Sequence, residues 1–412
     1  MRKALGAAAL SATLLAGCGG GGPQGSSDAK LTDDKLVLGV LNDQSGVYAQ
    51  LSGKNSVEAV KMAIEDYKKK YGDKAVAKNV SVETADHQNK PDVANTRATE
   101  MYDRQGVDII LDVPTSSAAL KVADVAKQKK KLYFNISGAT TELTGKSCNK
   151  YTFHYAYDTA MLANGTGTAT TQNGAKNWYI VYPNYAFGQD MEKSFKEAIG
   201  KAGGTVVASD ATPFPNDNFS TFLLKAPELR PKPDVLGTMQ AGADLVNLVK
   251  QYNEFKVRDK GVGLAVGLMF LTDIHSLTPD ALAGTTFTDA WYWNFDAENR
   301  AFADRFFQKT GQRPTFAHAG NYSAATQYLE AVQETGTDDA DTVVKHLEGR
   351  DVNDFFLRNG KFRAEDHRVL HDAYLAQVKP STEVKEPWDY EKILKTIPAA
   401  EAFRAPSADC KL

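Results

Sequence analysis

The sequence predicts an α/β fold of two doubly wound parallel-sheet lobes joined by a hinge of several crossovers. Three observations predict it. Short β-branched runs alternate with amphipathic helical stretches from about residue 35 onward. That rhythm restarts after about residue 158, and the last third is too helix-heavy to build a sheet of its own. A chain of 412 residues also exceeds what one hydrophobic core usually serves.

Each element follows from its pattern. Residues 36–41 form a strand-like apolar run. In 56–71, Val57, Val60, Met62, Ile64 and Tyr67 recur at near-helical spacing with Lys and Glu opposite. Residues 80–84 alternate as a strand and 92–105 return to helix. Residues 107–111 are the continuous apolar run of a strand buried on both faces. A helix at 118–130 and a strand at 132–136 follow. The second lobe repeats the scheme with helix 161–172, strand 178–182, helix 190–202 and strand 205–208. It continues with helix 219–226, strand 234–238, helix 243–255 and strand 263–269. Then come a strand at 285–291, helices at 300–309, 319–335 and 341–349, and an antiparallel-type alternating strand at 369–378. These late pieces are expected to complete the two earlier lobes, which requires several crossings between them. The expected division is lobe 1 from 35–157 and 294–367, lobe 2 from 158–293 and 368–392, and a tail from 393–412.

The N-terminus reads as an export signal. Arg2 and Lys3 precede an apolar run at 4–15, too short to span a bilayer as a helix. Leu15-Ala16-Gly17-Cys18 resembles a bacterial lipobox, which is cut before its cysteine and acylated on the thiol. That makes 1–17 a signal peptide, Cys18 the lipidation site and 18–34 a flexible tether rich in Gly and Ser. Cleavage would shift the formal net charge from −3 to −5, since it removes only Arg2 and Lys3 among charged side chains. Interspersed Lys and Glu without a basic block argue against a nucleic-acid partner. Only Cys148 and Cys410 would remain, and two cysteines in an oxidising compartment are more often paired than free. A Cys148–Cys410 disulfide pinning the tail to the body is expected, with two free thiols as the alternative.

Ligands of open parallel sheets sit beyond the carboxyl ends of the strands, so the residues that follow each strand carry the functional reading. In the first lobe these are 42–48, ending in Tyr48, then Pro114-Thr115-Ser116-Ser117 and Ser137-Gly138-Ala139-Thr140-Thr141. In the second they are Pro183-Asn184-Tyr185-Ala186-Phe187-Gly188, Gln240-Ala241-Gly242 and Thr272-Asp273. Small hydroxylated residues at a helix start offer hydroxyls and free backbone N–H groups together, which suits a carboxylate. Ser116, Ser117, Ala139 and Thr140 therefore form a candidate carboxylate cradle, although Ser116 could equally cap its own helix.

Residues 41–46, the Ser116-Ser117 turn, 137–143, 182–188 and Ala202-Gly203-Gly204 also carry a family resemblance. Over 35–403 the chain resembles the periplasmic branched-chain amino-acid-binding proteins of the type I fold. The resemblance implies a ligand α-carboxylate on the serine turn and the Ala-Thr turn. It implies an ammonium held by Asp273 and Asp158, with Tyr185 or Phe187 closing over the ligand. It also implies lobe closure, delivery to a membrane-embedded ABC permease, and no cofactor or metal. The chain departs from the pattern at three places: Asp273 stands for a glutamate, Phe187 for a tyrosine, and Gln240-Ala241 for a tyrosine-rich turn. Tyr155, Tyr157, Trp291, Tyr292 and Trp293 cluster near the expected crossovers, where Trp291 either lines the pocket or packs the hinge.

Enzymatic motifs fail on context. Ser147-Cys148-Asn149-Lys150 and Lys309-Thr310-Gly311 match pieces of an acyl-serine enzyme, but no S-D-N lies between them and Lys309-Thr310-Gly311 ends a helix. Gly145-Lys146-Ser147 lacks the glycine spacing of a phosphate loop. His367 and His371 fall on a turn into a strand, which is poor metal-ligand geometry. The expected function is therefore capture without chemistry: an extracytoplasmic, lipid-anchored substrate-binding component of an ABC importer, taking an amino acid or related small carboxylate. A ligand-sensing receptor module is the alternative, and a secreted hydrolase a distant third.

Overall fold

The structure, a computed structural model, describes residues 31–412. The signal peptide, Cys18 and most of the tether lie outside the described residues. No described helix is long and apolar enough to cross a membrane.

The first lobe is built from β1 (Lys35–Asn42), α1 (Gly53–Tyr71), β2 (Asn79–Asp86), α2 (Pro91–Arg104), β3 (Ile109–Asp112), α3 (Ser116–Lys129), β4 (Leu132–Asn135) and β5 (Thr152–His154). Its five strands pair in parallel in the order β2-β1-β3-β4-β5. Residues of the central strands alternate between two apolar layers. Leu36, Leu38, Val40, Ile109 and Leu111 face one, with Val57, Val60 and Ile64 of α1. Val37, Leu41, Ile110 and Tyr133 face the other, with Ala94, Ala98 and Met101 of α2 and Ala119 and Val122 of α3. Helices on both faces explain why these strands read as unbroken apolar runs.

The second lobe contains α4 (Thr159–Leu162), a π-helical turn (Ala163–Gly167) and α5 (Thr168–Gln172), which together form the helix expected at 161–172. It continues with β6 (Asn177–Pro183), α6 (Ala186–Lys201), β7 (Thr205–Thr212), α7 (Ser220–Lys225), β8 (Val235–Thr238), α8 (Gly242–Glu254), β9 (Gly263–Val266) and α9 (Leu271–Leu277). The strands pair in parallel in the order β7-β6-β8-β9.

The last third is divided between the lobes. After β10 (Thr286–Asp289), helix α10 (Ala297–Thr310) packs on α1. Helix α11 (Phe316–Thr335) packs along α1, and α12 (Ala340–Leu347) packs on α11. A small antiparallel sheet of β11 (Asp351–Val352), β12 (Gly360–Phe362) and β13 (Val369–Leu370) joins the first lobe through a bridge between His154 and Arg368. The chain then returns as β14 (Ala373–Val378), which pairs antiparallel with β10 and with β15 (Glu391–Ile397), before α13 (Ala399–Ala402).

Two expectations need correction. The strand expected at 369–378 is two strands, because the chain passes between lobes at His371-Asp372. The tail expected from 393 starts inside β15, whose polar, solvent-facing positions hide its period in the sequence. Beyond α13 the tail is tied back by a disulfide between Cys148 and Cys410, which are 262 residues apart with Cα atoms 5.5 Å apart. The chain thus crosses between lobes at 155–158, 290–296 and 371–372.

Candidate functional site

The carboxyl ends of the two parallel sheets face each other, and the polar turns meet there. On the first lobe, β1 ends in buried Asn42 and Asp43. The Asp43 carboxylate accepts from the backbone N–H of Gly46 at 2.7 Å and of Tyr48 at 2.8 Å, and from the Asn89 amide. This folds 44–48 into a tight loop that presents Tyr48. Next to it, Asp112 at the end of β3 takes bonds from Asn42 Nδ2 at 2.9 Å and from the Ser137 hydroxyl. Burial pushes the Asp112 carboxyl up and these donors pull it back down. Asp112 and Val113 have φ of 83° and 62°. A left-handed conformation is costly for β-branched Val113, and such strain persists only where its surroundings impose it.

That turn delivers Ser116 to the first position of α3, fully buried, with Oγ lacking any hydrogen-bond partner. Ser116 therefore does not cap its helix through its side chain. Ser117 beside it is half-buried. The second part of the cradle, 137–141, is held from behind. Gly138 O accepts from Asn135 Nδ2 at 2.6 Å and lies 2.8 Å from His154 Nε2, while Tyr157 donates to Ser137 O at 2.7 Å. Burial lowers the His154 pKa well below its usual value, so the ring is neutral. The Thr140 hydroxyl accepts from Glu142 N, and Thr141 N–H is received by Asp190 of α6 at 2.6 Å. Ala139 and Thr140 are thereby fixed and buried.

The second lobe supplies the opposite wall. Tyr185 precedes α6, and its hydroxyl meets that of Tyr48 at 2.5 Å across the lobes. Its ring stacks on Phe214 at 4.2 Å and lies 5.9 Å from Phe187. Gly188 permits the turn, since a Cβ there would fall 1.9 Å from Pro183 O. Gln240, after β8, is fully buried and donates through Nε2 to Thr212 Oγ1 at 3.1 Å, while its Oε1 has no partner. The Thr212 hydroxyl donates in turn to Tyr182 O at 3.4 Å, which orients the amide with its oxygen free. Asp273, on the first turn of α9, accepts from Phe270 N at 2.9 Å, and burial raises its pKa to about 7. Thr272 Oγ1 beside it is buried without a partner. Towards the hinge, Phe270 stacks on Phe316 at 4.5 Å, and Phe316 meets the edge of Tyr157 at 4.8 Å.

Two further expected site residues, Asp158 and Trp291, lie at the crossovers. Asp158 caps α4 by accepting from Met161 N at 2.8 Å, and its other oxygen lies 3.3 Å from Nε of buried Arg368. Asp158 thus ties the first crossover to Arg368 by charge, while this second oxygen, buried, receives no hydrogen bond. Trp291 packs edge-on against Phe302 and Phe355 at 6.0 and 5.8 Å, and its buried Nε1 has no hydrogen-bond partner. Tyr155 likewise sits in a ring cluster with Phe134, Phe356 and Phe362.

Other residues beside these groups had not been singled out as ligand contacts, although Asp43 and Ser137 lie in the strand-end turns noted above. Asp43, Asp112 and Ser137 follow strands and were reachable by the strand-end rule. Phe214, Phe270 and Phe316 carry no local signal, because they enter from turns and from a distant helix. Arg404 donates to Thr141 O behind the cradle, whereas the side chains of Asp43, Asp112, Ser137, Gln240 and Asp273 are met by neutral groups. The described residues contain no cluster of three or more His, Cys, Asp or Glu arranged to hold a metal ion.

Residues 35–383 match a family model described as periplasmic binding protein. A periplasmic binding protein from Burkholderia mallei is 40% identical, with 90% of this chain and 97% of that chain covered and a TM-score of 0.86. A branched-chain amino acid ABC transporter periplasmic ligand-binding protein from Burkholderia xenovorans LB400 is 35% identical, covering 91% and 100%, with a TM-score of 0.81. A solute-binding protein of an ABC transporter from Rhodopseudomonas palustris BisB5, solved with 3,4-dihydroxybenzoic acid, shares the fold at 22% identity, covering 89% and 98%, with a TM-score of 0.77. No curated protein matches the chain. With a matching family model over most of its length and the facing strand ends that such binders use, this chain belongs to the periplasmic binding proteins of ABC transporters, with the type I fold.

Proposed function

We propose that the chain captures an amino acid or related small carboxylate between its lobes and hands it to an ABC permease, from an extracytoplasmic position anchored by lipid at Cys18. The observation that carries the ligand reading is the set of buried polar atoms without partners at the facing strand ends: Ser116 Oγ, Gln240 Oε1 and Thr272 Oγ1. Leaving such a group unpaired costs about 1–3 kcal/mol, a cost that a ligand supplying the missing partners would remove. Ser116 Oγ and the start of α3 suit a carboxylate, and Gln240 Oε1 requires a ligand donor, either N–H or O–H. Asp273 suits an ammonium, which would draw its carboxyl into the ionised form. Tyr48, Tyr185, Phe187 and Phe214 would enclose the ligand's apolar part.

A thermal-shift screen over amino acids, aromatic acids, short amides and small carboxylates tests this reading. A tight ligand raises the transition by mass action, about 2.7 kcal/mol at a hundredfold excess over Kd. A flat response across the panel would contradict it. The anchor is tested by fractionation: Cys18→Ser should move the protein from the membrane to the soluble fraction, and unchanged membrane retention would refute the lipid anchor.

A further inference from the structure

Besides the hinge and the bonds from Thr141 to Asp190, the lobes touch where the 44–48 loop meets the start of α8. Gly242 is the first residue of α8, with φ of 58°. A Cβ on Gly242 would lie 2.5 Å from Val47 O and 3.0 Å from Tyr48 Cδ1, both on the opposite lobe. The next residue, Ala243, donates its backbone N–H to Val47 O at 3.2 Å. That N–H belongs to the first turn of α8, whose amides have no partner within the helix. Beside this bond stand the Tyr48–Tyr185 hydroxyl pair at 2.5 Å and the Tyr48–Phe214 ring contact at 5.8 Å.

Resting on the reading of the chain as a closing ligand binder, we infer that Gly242 is the positioning residue that permits full closure. The 44–48 loop and the start of α8 form a clasp at the cleft mouth. The Val47 carbonyl cannot withdraw from a side chain at 242, because Asp43 holds the flanking Gly46 and Tyr48 amides and Ala49 N bonds back to Gly46 O. Relieving the clash would take a separation of roughly 1 Å, enough to break the 3.2 Å bond and the hydroxyl pair. Gly242 is thus required by the approach of the other lobe as well as by its own backbone.

The test separates these two demands. Gly203 lies in the same lobe with φ of 78° and nothing within 4 Å of a Cβ, so Gly203→Ala carries comparable backbone strain without the clash. Spin labels on exposed Gln50 and Lys250, one per lobe, report lobe separation by pulsed dipolar spectroscopy in the full chain. Distances are recorded without ligand, with excess L-leucine and with excess 4-hydroxybenzoate. Wild type and Gly203→Ala should share a short-distance population in at least one condition. Gly242→Ala should lose it about tenfold, as expected for losing a hydrogen bond and an aromatic contact across the lobes. Thermal melts of both variants without ligand should fall by similar amounts. Equal short-distance populations in Gly242→Ala and wild type would overturn the inference, as would a wild type showing no short distance in any condition. A short distance that never responds to either probe, yet disappears in Gly242→Ala, leaves the clasp standing and counts against the ligand reading.

Discussion

At the residue scale, the site combines groups that are expensive to bury with positions that hold them still. Ser116 illustrates this. Its hydroxyl is unpartnered in the structure, so Ser116→Ala removes no internal bond. The substitution should leave the unliganded melting temperature unchanged or slightly raised. It should weaken a carboxylate ligand about 10- to 100-fold by titration calorimetry, since hydrogen bonds to charged groups are worth about 1.5–3 kcal/mol. A loss of stability without a loss of affinity would make Ser116 a structural residue.

Asp273 gives a pH signature. Its folded pKa is raised to about 7, whereas the unfolded chain ionises near 3.8, so the folded state holds the extra proton between those values. Its contribution is therefore present at low pH and is lost as pH rises towards and past 7. Asp273→Asn should raise the unliganded melting temperature at pH 8 and do little at pH 4. A ligand with an ammonium would ionise Asp273 on binding, and calorimetry at pH 6 in buffers of different ionisation enthalpy should register proton release. A ligand lacking an ammonium should release none from this group.

At the element scale, much was legible from the sequence and the failures have physical reasons. Strands β1 and β3 were readable because both faces are covered, which makes their apolar runs continuous. The polar turns at Ser116 and 137–141 were readable because they directly follow β3 and β4. At Asp158 a carboxylate at a crossover serves a helix start, and its pairing with Arg368, 210 positions later, carries no local signal in the sequence. Phe302 and Phe355, the partners of Trp291, were not legible because they come from later parts of the chain. Strand β15 escaped because it is the exposed edge partner of β14, with its period diluted by lysines. Asp86 accepts from Gln44 N and the Ser45 hydroxyl, but the Gly46 and Tyr48 amides share Asp43 as their acceptor, so Asp43→Ala should loosen Tyr48. Hydrogen exchange at the Gly46 and Tyr48 amides should accelerate, with a stability loss of about 1–3 kcal/mol. Unchanged exchange would show that Asn89 and Asp86 hold the loop without Asp43.

At the scale of the whole molecule, three chain crossings and one disulfide connect the lobes. The tail after α13 returns to the first lobe, where Arg404 donates to Thr141 O and Cys410 bonds to Cys148. It thus acts as a fourth link beside the hinge. Closing so long a loop is expected to contribute about 2–4 kcal/mol, so Cys410→Ser should lower the melting temperature and leave a thiol on Cys148 that reacts once the protein is denatured. An unaltered melting temperature would mean that Arg404 and α13 hold the tail unaided.

The most direct test of ligand capture between the lobes is titration calorimetry of a panel ligand against wild type and the Ser116→Ala/Gln240→Leu double variant. Wild type should bind one small carboxylate per chain, and the double variant, folded by its melting curve, should show no measurable heat of binding. The absence of any binder in the panel, or equal affinity in the two proteins, would contradict a ligand held by these strand ends.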